Sequence, residues 1–221
     1  MIKKELFSFL TDLHKNNNRD WFNANKPTFK KHELTVKSFL TEIADELNKT
    51  DRIEKHKLMR IYRDVRFSKD KTPYSPRFAG GFTRATAALR GTYFLNIQPG
   101  KSIAGGGFYG PNADDLKRIR QEFEMDDSEI RAILSDKKFV QTFGKLQGSE
   151  LKTAPRGFDP NHPAIDLIRK KQFYVFRDFT DKEVLSPNFK SEVLNTFTTM
   201  RPYFDFMSSV LTTNTNGESI L

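Results

Sequence analysis

The chain has 221 residues and carries 37 lysines and arginines against 28 aspartates and glutamates, a net charge of +9, with no cysteine. The missing cysteine excludes disulfides, thiolate metal sites and thiol nucleophiles together, and no run approaches the ~20 apolar residues that span a bilayer. Hydrophobic residues make up only 37%, but 21 Phe, 6 Tyr and Trp21 can each bury roughly 150–250 Å², so disorder is excluded for most of the chain.

The first expected element is a helix over 3–15, with Leu6, Phe9, Leu10 and Leu13 on one side. The run Asn16-Asn17-Asn18 ends it and can cap a short helix over Arg19–Ala24. Pro27 suits the first turn of a longer helix reaching about residue 48, striped by Val36, Phe39, Leu40, Ile43 and Leu47. From Met59 the period becomes two. Met59, Ile61, Val65 and Phe67 fall on one strand face, and Arg60, Tyr62, Asp64 and Arg66 on the other, with Arg63 intruding on the apolar face.

Lys69–Pro73 reads as a turn, 78–84 as a strand, and Thr92–Gln98 with Ser102–Tyr109 as a hairpin about Pro99-Gly100. Helices are expected over Asn112–Glu124, 127–134 and 136–143, the last stopped by Gly144. Further on come a strand over 149–153, a Pro-rich loop over 155–163, a short helix near Ala164–Arg169 and a strand over Phe173–Phe179. The last helix starts near Asn188, with a kink or break at Pro202, and 212–221 is expected to be a frayed polar tail. The fold class is therefore α+β: a central antiparallel sheet of meander and hairpins flanked by N- and C-terminal helices, in one domain over 1–211.

Several motifs fail on inspection. Pro99-Gly100-Lys101-Ser102 suggests a phosphate loop, but position 95 is Leu where that loop needs Gly, and a strand comes next rather than a helix. Gly105-Gly106-Gly107 precedes a helix start, yet Asp114 and Asp115 would repel an anion there, so close backbone packing is the better reading. The histidines at 14, 32, 56 and 162 share no ligand spacing, so no metal and no cofactor are expected. Met1-Ile2-Lys3-Lys4 looks like the start of a signal peptide, but Ser8, Thr11, Asp12 and His14 break the apolar stretch after it. A cytoplasmic chain with no membrane association is expected, and its sequon at Asn48 would be unused.

The charge is uneven. Residues 60–90 hold eight cations (Arg60, Arg63, Arg66, Lys69, Lys71, Arg77, Arg84 and Arg90) against Asp64 and Asp70 alone. Guanidinium forks match phosphates and carboxylates in two-point contact, and Lys adds a compact charge. The candidate anion-binding residues are Arg60, Arg63, Arg66, Lys69, Lys71 and Tyr74. Asp64 and Asp70 are candidates for orienting them or for acid/base work. The competing reading is an internal ion-pair network. A second cluster, Lys152, Arg156, Arg169, Lys170 and Lys171, reads as edge protection.

The stretch RIYRDVRFSKDKTPY over 60–74 resembles a bacterial and fungal family catalogued as domain of unknown function 2461. The segments NNNRDWFNANKPTF, GTYFLNIQPGKSIAGGGFYGPNADDLKRIR and LKTAPRGFDPNHPAIDLIRKKQF resemble it too, so the likeness covers about residues 5–210. It implies a single globular unit and transfers no activity, cofactor or catalytic residue.

The residues admit three functions. A binding module would hold a phosphorylated ligand or nucleic acid through 60–77, with Tyr62, Phe67, Tyr74 and Phe78 available to stack on bases. A metal-independent enzyme would clamp an anionic substrate with Arg60, Arg66 and Lys71 and use Asp64, Asp70 or Tyr74 as acid/base. A protein-interaction scaffold would use the ion pairs structurally. The discriminator is Arg63, buried and paired in the last case and open to a cleft in the first two.

Overall fold

The computed structural model describes residues 1–221 and shows an α+β protein. Three helices come first: α1 (Lys4–Lys15), α2 (Arg19–Ala24) and α3 (Lys26–Leu47). Strands β1 (Ile53–Leu58), β2 (Phe78–Arg84), β3 (Thr92–Ile97) and β4 (Ser102–Phe108) come next. Helices α4 (Ala113–Met125), α5 (Ser128–Ser135), α6 (Lys137–Phe143) and α7 (Ile165–Ile168) then lead to β5 (Phe173–Phe179), α8 (Asp181–Val184) and α9 (Phe189–Thr212). The five strands form one antiparallel sheet in the order β1-β2-β3-β4-β5.

Contacts gather into two compact units, each built from three stretches of chain: 1–82 with 94–104 and 178–195, and 83–93 with 105–177 and 196–221. In the first unit α1 buries Leu6, Phe9, Leu10 and Leu13, as the apolar spacing requires. The Asn18 side chain accepts the Trp21 amide at 2.9 Å and starts α2. Helix α3 buries Val36, Phe39, Leu40 and Ile43. Phe39 stacks on Phe189 at 5.7 Å, and Phe189 meets Phe179 edge-on at 5.3 Å.

The core of the second unit is aromatic. Tyr93 packs between Phe197 and Phe204, at 4.9 and 4.8 Å. Tyr203 is fully buried and donates to the Phe173 carbonyl at 2.9 Å, and burial pushes its phenol well above the ordinary value. The Gly105–Gly107 run lies within β4 because the neighbouring backbone comes too close for side chains. A Cβ at Gly105 would stand 2.0 Å from the Val175 carbonyl, and one at Gly106 2.3 Å from that of Thr92.

Four expectations are corrected. Residues 59–67 are not a strand; the strand is β1, one segment earlier, and the only pairing beyond it is the isolated bridge Tyr62–Tyr74. Alternating charges and apolar residues imitated a strand there, but those side chains bond locally within a loop. Residues 149–153 are not a strand either; the segment makes only isolated bridges, Gln147 to Tyr174 and Glu150 to Lys170, with Gly148 at φ +122° between them breaking the ladder.

Helix α9 continues through Pro202, so of the kink or break expected there the break is absent. Pro202 and Thr198, whose carbonyl loses its partner, both face solvent, where water can satisfy it. Helix α8 was not expected; Thr180 and Glu183 make a reciprocal capping box around it. The residues after α9 turn back on themselves, with the Asn214 amide donating to the Glu218 carbonyl at 2.9 Å.

Candidate functional site

The basic segment is a closed loop between β1 and β2. At its neck the Met59 amide donates to the Ala79 carbonyl at 2.7 Å, Ser75 to Ile61 at 2.8 Å, and Arg63 to Pro73 at 2.9 Å. The Asn17 side chain clamps the same place from both sides, donating to the Tyr74 carbonyl at 2.9 Å and accepting its amide at 3.1 Å. Beneath the neck Ile61 and Tyr74 are buried, and the Tyr74 ring stacks on Phe22 at 4.1 Å. Sequence reasoning gave Asn17 only a role in ending a helix. Its second role depends on a contact 57 residues away, which no local pattern carries.

Arg63 organises the interior of the loop. Its Nη1 donates to Asp70 Oδ2 at 2.5 Å, to the Thr72 carbonyl at 3.0 Å and to the Thr72 hydroxyl, and Nη2 reaches Ser68 Oγ at 3.4 Å. Asp70 also accepts the Thr72 amide at 2.9 Å and the Thr72 hydroxyl at 3.1 Å. That amide first, then the hydroxyl and Arg63, lower its carboxyl to about 2. Lys71 Nζ donates to the Val65 carbonyl at 2.9 Å and so helps fix the loop's far turn. Arg63, Asp70, Thr72 and Lys71 therefore give the loop its shape.

Other groups point out of it. Phe67 is 97% exposed and Tyr62 50% exposed. The Arg66 guanidinium sits over the Phe67 ring, 6.0 Å from its centroid, while forking onto Asp64 at 3.0 and 2.7 Å. That fork, chiefly the side-chain hydrogen bond, lowers the Asp64 carboxyl. Arg60, Lys69 and Arg77 are exposed, and no ion pair within the chain engages them.

The candidate residues thus divide. They do not line one strand face as expected. Arg63, Lys71 and Asp70 bond within the loop, although Lys71 and Asp70 stay exposed, Tyr74 is core, and Arg60, Arg66 and Lys69 are at the surface. Of the four aromatics considered for stacking, Tyr74 and Phe78 are buried and Tyr62 and Phe67 are available. The basic surface also does not extend to residue 90. Arg84, with 2% of its side chain exposed, pairs with Asp205 and donates to Ser208 Oγ at 3.3 Å. Arg90 pairs with Asp115 at 2.6 Å.

Beside the loop lies an open polar cleft of about 390 Å³ walled by His14, Asn17, Arg63, Asp70, Thr72 and Arg77. Arg63 faces it with a quarter of its side chain exposed. It is both paired internally and accessible, so it belongs wholly to neither of the two expected cases. No group of three or more His, Asp or Glu is placed to hold a metal ion, and no helix is long and apolar enough to cross a membrane.

The family model described as "Conserved hypothetical protein (DUF2461)" matches residues 5–206, from α1 into α9. No curated protein and no solved structure matches the chain.

Proposed function

The chain belongs to the DUF2461 family of conserved hypothetical proteins, and we propose that it serves as a binding module for a phosphate-bearing partner, held by the outer surface of the 59–77 loop. Single-stranded nucleic acid is the partner whose chemistry that surface matches best. One observation carries the reading: Phe67, almost wholly exposed, stands on a loop braced from within and flanked by the unengaged cations Arg60 and Lys69. An exposed ring set between cations offers a flat apolar face beside positive charge, the pairing that single-stranded nucleic acid uses. Every base presents a flat face to stack on such a ring, and the phosphates beside it meet the cations. Bracing by Arg63 and Asp70 lowers the entropy lost on binding. A chain without cysteine suits a reducing compartment, and we place this activity in the cytoplasm.

Metal-independent catalysis on an anionic small molecule has less support. The Asp64 and Asp70 carboxyls are held below their ordinary values, and burial raises the Tyr74 phenol, so all three sit away from neutrality. A pure scaffold role accounts for the Arg63–Asp70 pair and leaves Phe67 unexplained.

The test is fluorescence anisotropy with a labelled oligothymidylate of about 15 nucleotides, titrated at several salt concentrations. The logarithm of affinity should fall against log salt with a slope of about −2 to −3, as expected for three or four phosphate contacts. Phe67→Ser should weaken binding about tenfold or more, the usual loss for one stacked base. Arg60→Ala with Lys69→Ala should flatten the salt slope. Flat titrations at low salt against oligonucleotides and phosphorylated metabolites alike would remove the proposal.

A further inference from the structure

A larger cleft, of about 910 Å³, lies elsewhere, among α5, α6, α7 and the strand-like segment between them. Its wall is two-sided in character. Leu134, Val140 and Leu146 supply an apolar part, with Val140 44% exposed. Lys145, Arg169 and Lys170 supply a cationic part. Arg131 also lines it, but its charge is already matched by Asp127 at 2.5 Å and Asp166 at 2.8 Å.

The remaining cations are poorly matched. Arg169 and Lys170 share one carboxylate, Glu150, at 3.7 and 3.8 Å, both longer than a hydrogen bond. Lys145 is exposed and has no acidic partner within the chain. The Nε of Arg169 is buried with no acceptor at all, and a buried donor of a charged group is rarely left so without a reason. Two positive charges in excess therefore face a cavity whose other wall is hydrocarbon.

The wall is also rigid. Segment 147–151 is stapled to 169–174 by backbone bonds: Gln147 to Tyr174, Leu151 to Arg169 and Lys171 to Ser149, each at 2.8 Å. Arg120 donates to the carbonyls of Ile168 at 2.8 Å and Lys170 at 3.2 Å, which orients the turn bearing the cations. Arg169 and Lys170 belong to the second basic cluster, which the sequence suggested was edge protection.

We infer that this cleft is a binding site for a small amphipathic carboxylic acid. Its carboxylate would lie between Arg169, Lys170 and Lys145, and its hydrocarbon body on Leu134, Val140 and Leu146. The size is near the upper end for a small-molecule site, and the pattern of an apolar surface with a few convergent polar groups is typical of one. No residue of the 59–77 loop takes part, so this site stands or falls independently of nucleic-acid binding.

Isothermal titration calorimetry of the full chain with octanoate, octanol and acetate tests it. Octanoate should saturate one site. Acetate, lacking the hydrocarbon, and octanol, lacking the charge, should each bind at least about tenfold more weakly. Val140→Asp and the double change Arg169→Gln with Lys170→Gln should each lose about tenfold or more in octanoate affinity. Lys145→Gln alters an exposed side chain with no ion pair and should lose a few-fold without touching the fold. Absence of saturable octanoate binding, octanol binding as tightly as octanoate, or undiminished affinity in the folded Lys145→Gln and double variants would each overturn the assignment.

Discussion

Arg63 and Asp70 meet at 2.5 Å, Nη1 to Oδ2, inside a loop whose neck Asn17 already holds closed. The contact is seven residues long in sequence and sets how the outer face of the loop is displayed. It also creates a pH signature. Asp70 is depressed from the ordinary 3.8 to about 2 in the folded chain. A carboxyl depressed by folding contributes its stabilisation fully above the unfolded value and loses it as pH falls through the folded one. Loop order should therefore hold at pH 4 and fade as pH approaches about 2. The Thr72 amide resonance, followed by NMR, should titrate with that midpoint. In Arg63→Gln the midpoint should rise yet stay below 3.8, since the Thr72 amide and hydroxyl still bind the carboxylate. An unchanged midpoint would show that Arg63 does not hold Asp70 in solution.

Two aromatic residues of the same loop should behave oppositely. Phe67→Ser removes a ring that touches almost nothing of its own chain, so denaturant unfolding should shift by less than about 0.5 kcal/mol. Tyr74→Ala removes a ring 3% exposed and stacked on Phe22, and should cost about 3 kcal/mol. A large loss for Phe67→Ser would mean that the ring packs onto the protein and is not free for a partner.

The contrast between these two rings also marks what the sequence could disclose. Helices α1, α3 and α4 were legible because one apolar stripe per turn needs only local residues, and burial follows from it. Strands β3 and β5 were legible through their β-branched and aromatic residues, and β4 as the return half of the hairpin about Pro99-Gly100. Strand β1 was hidden because it carries Glu54, Lys55, His56 and Lys57 between Ile53 and Leu58 and is a sheet edge, where charge guards against pairing with other chains. The loop after it was misread because Arg-Ile-Tyr-Arg-Asp-Val alternates as a strand does. What converts it to a loop is bonding to Asp70, Thr72 and Pro73, seven to ten residues on, and to Asn17, far behind. The candidate site was therefore found in position and mistaken in shape.

The glycine run in β4 makes a sharper forecast than any surface residue. A Cβ at Gly105 would press on the Val175 carbonyl at 2.0 Å and the Phe176 Cα at 2.8 Å, both backbone atoms that cannot swing away. Gly105→Ala should lose at least about 2–3 kcal/mol as β4 and β5 separate. Gly110→Ala, at the end of the same stretch, meets nothing within 4 Å and should be close to neutral. Equal stability of the two variants, measured by thermal unfolding, would contradict the close strand approach.

Arg84 and Asp205 give the last forecast, because the partners differ so much in exposure. The Arg84 side chain is 2% exposed, and that of Asp205 is 54%. Arg84 also has Ser208 Oγ at 3.3 Å, the Arg90 carbonyl at 3.4 Å, and the Phe204 ring 5.6 Å from its guanidinium carbon. Removing the partner of a wholly buried charge costs about 3–5 kcal/mol. Here water already reaches Asp205 and other acceptors remain, so Asp205→Ala should cost only about 1–2 kcal/mol. Arg84→Ala removes the long side chain packed on Phe204 and strands the Ser208 contact, and should cost about 3 kcal/mol or more. High salt should leave the Arg84→Ala loss nearly unchanged and shrink that of Asp205→Ala, since screening acts on the solvated half of the pair. If Asp205→Ala proves the more damaging, the charge of Arg84 rather than its packing is what this part of the protein must balance.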